Sequence, residues 1–149
     1  NTLAWAQESV SAKAMSMLAD KAIVSRLTYM DQDILNLILL GKVKFIDAKY
    51  NTQFSLNYEL KKSFVCPIND ETVLIHYVGP TKPWHYWAGY PSAQPFIKAK
   101  EASPWKNEPL MRPVNSNYAR YCAKHNFKQN KPINGIMNYI YYFYLKIIK

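Results

Sequence analysis

Glycine is scarce in this chain, with four in 149 residues against nine prolines. There is no GxGxxG, no Walker loop and no GxSxG elbow, so dinucleotide-binding, P-loop and serine-hydrolase readings have no foothold. Cysteine is equally sparse. Cys66 and Cys122 are far apart and belong to no CxxC or Cys/His array, which supports neither a zinc site nor a disulfide framework and fits a reduced cytosol. No run approaches the roughly 18 consecutive apolar residues of a membrane span, and no secretory signal is visible; a soluble or peripheral protein is expected. Acid is missing from one end: after Glu108 there is no Asp or Glu, while Arg112, Arg120, Lys124, Lys128, Lys131, Lys146 and Lys149 follow. With a formal charge of +9, that asymmetry predicts an anionic partner. Nucleic acid, an anionic bilayer and a phosphorylated glycolipid would each satisfy it, because long-range attraction does not distinguish polyanions.

What is present is an ordinary globular composition, 49% hydrophobic, in a chain long enough to bury a core. Residues from about Glu8 to Leu27 have helix-forming composition, and one or two helices are expected there. Next, Asp31 can cap a helix in which Ile34, Leu35, Ile38 and Leu39 share one face, with Gly41 at its C-terminal end. Val43 to Ile46 reads as a short strand, Tyr50 to Leu60 as a partly irregular connection, and Val73 to Tyr77 as a buried strand. Ala93 to Ala102 has helical composition with Pro95 near its start, where proline is tolerated. Pro104 to Pro113 reads as a linker and Asn117 to Phe127 as a helix. In the tail, Ile133, Ile136, Met137, Ile140, Phe143, Tyr144, Ile147 and Ile148 form an apolar stripe at helical spacing. That stripe can lie in an anionic membrane interface, or pack on the rest of the chain and leave only the lysines facing lipid.

The densest chemistry lies in Ile75-His76-Tyr77-Val78-Gly79-Pro80-Thr81-Lys82-Pro83-Trp84, where an imidazole, a glycine and an ammonium recur at intervals of three. Gly79, Pro80 and Pro83 force an irregular turn after the strand, so His76 should emerge at a strand end. A neutral imidazole suits a divalent transition metal, a glycine lets the backbone come close, and a lysine supplies point charge to phosphate oxygens. The alternative is a hydrogen-bonded structural histidine at a strand end, with Lys82-Pro83-Trp84 only a turn with an aromatic plug. His85 reads as a turn residue and His125 as a solvated one.

This pattern resembles the C-terminal motif of the family 8 glycosyltransferases, retaining enzymes that use a nucleotide sugar. Asp31-Gln32-Asp33-Ile34-Leu35-Asn36, the run from Tyr50 to Leu60, Tyr90-Pro91-Ser92 and Ala102-Ser103-Pro104-Trp105 are similar to landmarks of its bacterial lipopolysaccharide core members, the α-1,3-glucosyl and galactosyl enzymes above all. The resemblance implies an α/β fold: residues 1–92 as the C-terminal part of a GT-A nucleotide-diphospho-sugar transferase domain, and residues 93–149 as a helical, basic extension. It implies that an upstream nucleotide-binding half, with its own Asp-x-Asp, completes the enzyme, and that the chain alone is inactive. A start at Asn1 without Met, running straight into Leu3-Ala4-Trp5-Ala6, fits that expectation.

By the same resemblance His76 binds Mn²⁺ (or Mg²⁺), Gly79 and Lys82 contact the donor diphosphate, and Trp84 holds a motif position without a clear chemical role. Asp31 hydrogen-bonds sugar hydroxyls and Gln32 lies near the anomeric carbon; both are catalytic candidates. Asp31-Gln32-Asp33 is not the metal motif, since it opens a helix rather than ending a strand. Tyr50 and Asn51 face the sugar, or alternatively anchor a loop. The expected reaction moves glucose or galactose from UDP-hexose to the lipopolysaccharide core, by a front-face transfer with the Gln32 amide as electrostatic support. The expected place is the cytoplasmic face of the bacterial inner membrane, with an anionic membrane surface and no nucleic acid as partner. The competing reading is a basic nucleic-acid-binding or membrane-docking module without catalysis.

Overall fold

The computed structural model describes residues 1–148, so Lys149 lies outside the described residues. The chain forms two compact units, Asn1–Ile46 and Asp47–Lys149.

The first unit is helical. Helices α1 (Thr2–Gln7), α2 (Val10–Ala19), α3 (Lys21–Val24) and α4 (Met30–Ile38) follow one another through short turns. Asn1 caps α1 by accepting from the Leu3 and Ala4 N–H groups, and Asp20 caps α3 in the same way. Helix α4 packs against α2, with Val10 and Ile34 each 1% exposed, so the expected apolar face of α4 is the one turned inward. Its cap differs from the expectation. The helix starts at Met30, which moves Asp31 into the first turn, and Asp33 instead accepts from the Thr28 and Tyr29 N–H groups at 2.8 and 2.9 Å. Gly41 does adopt the left-handed conformation past the helix end, at φ +74°. Val43 to Ile46 forms no strand. A strand needs a paired edge, and none is supplied to this segment, whose Phe45 side chain is 91% exposed.

The second unit holds the remaining elements. A 3₁₀ turn (Ala48–Asn51) leads into β1 (Thr52–Phe54), and a second 3₁₀ turn (Leu56–Leu60) leaves it; β2 (Ile75–Tyr77) pairs with β1 in parallel, His76 opposite Gln53. The strand expected over Val73 to Tyr77 is thus shorter and not buried: the Val73 and Leu74 N–H groups both turn to Lys49 O, only Leu74 O reaches β1, at Thr52 N–H, and both side chains are more than half exposed. Phe54, Leu56, Ala88, Tyr90 and Ala93 form a core beneath the strands, with Tyr77 and Ile68 against it. Helices α5 (Gln94–Glu101), α6 (Ser116–Lys128) and α7 (Pro132–Ile147) occupy the expected stretches, with turns between α5 and α6 where the linker was read.

Helices α6 and α7 pack as a pair. The face that α7 turns inward carries Gly135, Asn138, Tyr139, Tyr142 and Leu145. A β-carbon at Gly135 would lie 2.6 Å from the Phe127 ring, so glycine is what lets the helices approach there. The expected stripe is the opposite face: Ile136, Met137, Ile140, Phe143 and Tyr144 are all more than half exposed. Cys122 is buried in α6, its sulfur 3.0 Å from the Tyr86 hydroxyl and 3.2 Å from the Asn126 amide nitrogen, while Cys66 is exposed. Among the described residues, no helix is long and apolar enough to cross a membrane.

Candidate functional site

Parallel pairing brings the C-terminal ends of β1 and β2 to the same side, and in open sheets the loops leaving those ends are where ligands bind. Phe54 O accepts from Val78 N–H at 2.9 Å, which extends the pairing one residue and delivers the chain into the Gly79–Lys82 turn. Gly79 has φ +81°, and a β-carbon there would stand 2.8 Å from Ser55 Oγ. Both the backbone conformation and the approach to Ser55 demand glycine.

His76 is exposed on β2, and its Nδ1 lies 3.2 Å from Asn51 Oδ1. An amide oxygen only accepts, so the bond needs the tautomer with hydrogen on Nδ1, and the Nε2 lone pair is left outward. This is the arrangement that prepares a histidine for a metal: a second group fixes the ring and the tautomer while the other nitrogen ligates. Asn51, expected to face sugar, is therefore also the partner that orients His76. Tyr50 beside it is 45% exposed, with the Lys49 ammonium 5.7 Å from its ring centre.

Lys82 folds back, its Nζ donating to Tyr77 O at 2.6 Å. An ammonium has three protons, so two remain for another acceptor. The backbone N–H of Lys82 donates to His85 Nδ1 at 3.1 Å. His85 is thus the turn residue expected, and it is also buried, stacked on Trp87 at 4.2 Å between ring centres. Burial, then the nearby Lys82 charge, pushes its pKa down to about 4. His76, Asn51 and Lys82 line one cleft of about 710 Å³, together with Pro83, Trp84 and Phe96. Trp84 and Phe96 lie 5.9 Å apart in its wall, so aromatic rings and polar groups both line the cleft.

Asp31 and Gln32 belong to the first unit, both exposed in the first turn of α4. A carboxylate there is favoured by the helix dipole.

One residue departs entirely from expectation. His125, read as solvated, is 0% exposed. Its Nδ1 is 2.8 Å from the Tyr90 hydroxyl and its Nε2 is 3.1 Å from both Thr81 Oγ1 and Asn57 Oδ1. Burial first, then the charges of neighbouring groups, lowers its pKa to about 4, so the ring is neutral at neutral pH. Its partners are 35 to 68 residues away in sequence, which is why the flanking Lys124 and Asn126 misdirect a local reading.

Among the described residues, no group of three or more His, Cys, Asp and Glu side chains is placed to hold a metal ion. His76 fits such an ion as one ligand among several.

Comparison with known proteins adds family to geometry. The profile of Glycosyl transferase family 8 matches residues 1–88, and that of Glycosyl transferase family 8 C-terminal matches residues 90–146. The chain is 53% identical to the lipopolysaccharide glucosyltransferase WaaO of Escherichia coli (strain K12), over 99% of this chain and 44% of the relative. It is 51% identical to the lipopolysaccharide 1,3-galactosyltransferase of Salmonella typhimurium, over 97% of this chain and 43% of the relative. It is 37% identical to a lipopolysaccharide 1,2-glucosyltransferase of Escherichia coli, over 98% of this chain and 44% of the relative. The chain thus spans less than half the length of these relatives. No solved structure matches it.

Proposed function

Because this chain belongs to glycosyl transferase family 8, we propose that it carries the leaving-group side of a retaining hexosyltransferase that moves glucose or galactose from UDP-hexose to the lipopolysaccharide core. The observation that carries this reading is the convergence of His76, Asn51 and Lys82 on one cleft that runs alongside β2 into the turn after it. Breaking the bond between the anomeric carbon and UDP puts negative charge on the β-phosphate. A group that meets that charge more strongly in the transition state than in the ground state lowers the barrier. Lys82 does so with the two protons that Tyr77 O leaves free. His76, held by Asn51, offers Nε2 as one ligand to Mn²⁺ or Mg²⁺, with the remaining ligands drawn from outside this chain. That ion, when bound, supplies further positive charge to the diphosphate.

On this reading the chain is the C-terminal part of a longer GT-A enzyme, with residues 1–92 in the catalytic domain and residues 93–149 as its basic helical extension. Asp31 accepts from sugar hydroxyls, the Gln32 amide supports a front-face transfer, Gly79 gives the diphosphate access to the turn, and Tyr50 borders the sugar. The enzyme works on the cytoplasmic side of the inner membrane, where the exposed apolar face of α7 and the lysines beside it meet anionic lipid. The likeness to lipopolysaccharide hexosyltransferases supports the transferase reading, whereas it lends nothing to a non-catalytic basic module. In the intact enzyme, His76→Ala and Lys82→Ala should each lower turnover, measured as UDP release, by about 100-fold, the scale of one preorganised electrostatic contact. Near wild-type rates with unchanged metal dependence in both variants would return the motif to a structural role.

A further inference from the structure

We propose that His125 is a positioning residue through which α6 sets the place of the Gly79–Lys82 turn, an inference that rests on the assignment of Lys82 to the donor diphosphate. Four segments meet at this ring: Thr81 from the turn itself, Asn57 from the 3₁₀ turn after β1, Tyr90 from the approach to α5, and α6, which carries the histidine. The proton arrangement follows from the partners. Asn57 Oδ1 can only accept, so Nε2 carries the hydrogen and shares it between Oδ1 and Thr81 Oγ1. Nδ1 then has the lone pair, and the Tyr90 hydroxyl donates into it. A neutral ring is fully used by this arrangement.

Thr81 and His125 are both 0% exposed. Burying polar groups gains little net stability over an apolar pair of the same shape, but it fixes direction, because only one placement satisfies every partner. The residue whose placement is fixed precedes Lys82. With the Lys82 N–H held by His85 Nδ1, the turn is pinned twice, at Thr81 by α6 and at Lys82 by its own closing histidine. A helix distant in sequence from the motif therefore determines where the Lys82 ammonium starts from when it meets a diphosphate.

The two ring nitrogens can be mimicked separately, since a glutamine amide nitrogen reaches the place of Nε2 and an asparagine amide reaches that of Nδ1. We would titrate UDP with Mn²⁺ into the intact enzyme and its His125→Gln, His125→Asn and Thr81→Val variants, and record each melting temperature. Thr81→Val keeps volume and leaves His125 bonded to Asn57, so it remains folded. The expected result is UDP binding weakened about tenfold in His125→Asn and Thr81→Val, the scale of one hydrogen bond, with His125→Gln within about twofold of wild type. Combining His125→Asn with Thr81→Val should weaken binding no further than His125→Asn alone. Wild-type affinity in Thr81→Val and His125→Asn alongside lowered melting temperatures would overturn the proposal and leave His125 a core residue. Equal weakening in His125→Gln and His125→Asn would also overturn it. Absence of UDP binding in the wild-type enzyme would overturn the diphosphate assignment first, and this inference with it.

Discussion

Gly79 separates two reasons for a glycine that usually arrive together. One is the backbone, at φ +81°; the other is Ser55 Oγ, 2.8 Å from where a β-carbon would be. Gly79→Ala should therefore destabilise by about 2 to 3 kcal/mol, the left-handed penalty plus the crowding. In a Ser55→Ala background the crowding is relieved, since the next nearest atom, Ser55 Cβ, is 3.8 Å away. The same substitution should then cost about 1 to 2 kcal/mol, the backbone part alone. Urea denaturation of the four proteins in that cycle gives the difference, and equal costs in the two backgrounds would mean that Ser55 moves aside freely. Asp33 teaches a similar lesson: the carboxylate that closes the start of α4 is two residues beyond the one whose position in the pattern proposed it, because the helix begins at Met30.

Helix α7 is apolar on both sides, and among the described residues only one side is packed, against α6. Spacing alone identifies both faces as helical, but it does not say which one meets α6; the small Gly135 and the hydrogen-bonding Asn138, which donates to Tyr86 OH at 3.3 Å, decide that. The two arrangements read from sequence, a stripe that enters lipid and a stripe that packs on the rest of the enzyme, then predict different outcomes for one variant, and the outcome expected is that of insertion. Ile136→Asp with Ile140→Asp should leave the melting temperature within a few degrees, because both side chains are more than half exposed and surface changes are usually small. The same double variant should lose at least tenfold in co-sedimentation with anionic vesicles, since burying an isoleucine side chain stabilises by roughly 1.5 to 3 kcal/mol. Undiminished binding would reject insertion, and a collapsed melting transition would show that the stripe packs within the protein.

Across the whole molecule, two buried neutral histidines link folding to pH. Both His85 and His125 have pKa values near 4 in the fold, against about 6.5 in an unfolded chain. Their contribution is fully present above the unfolded value and is lost as pH falls toward the folded one, because the unfolded state takes up protons that the folded state refuses. Between pH 7 and 5, where carboxylates stay ionised, stability should drop by about 2 kcal/mol for each ring. Urea midpoints that do not change over that range would contradict this, and His125→Gln should show a shallower slope. Helices α2 to α7 were legible in sequence because their apolar spacing is local, whereas α1 was not read as a helix, and the motif stood out because His76, Gly79 and Lys82 fall within seven residues. The strand expected at Val43 to Ile46 and the buried role of His125 were not legible. Each depends on partners far along the chain, and residue type alone does not reveal whether a partner exists. The two cysteines give this architecture a practical asymmetry. Cys122 is sealed behind Tyr86 and Asn126, with its thiol pushed up by burial, while Cys66 stands open. Alkylation of the native chain therefore stops at one equivalent, and a fluorophore attached there sits beside Phe64, Ile68 and Pro95, a single built-in reporter whose second equivalent of label appears only when α6 comes undone.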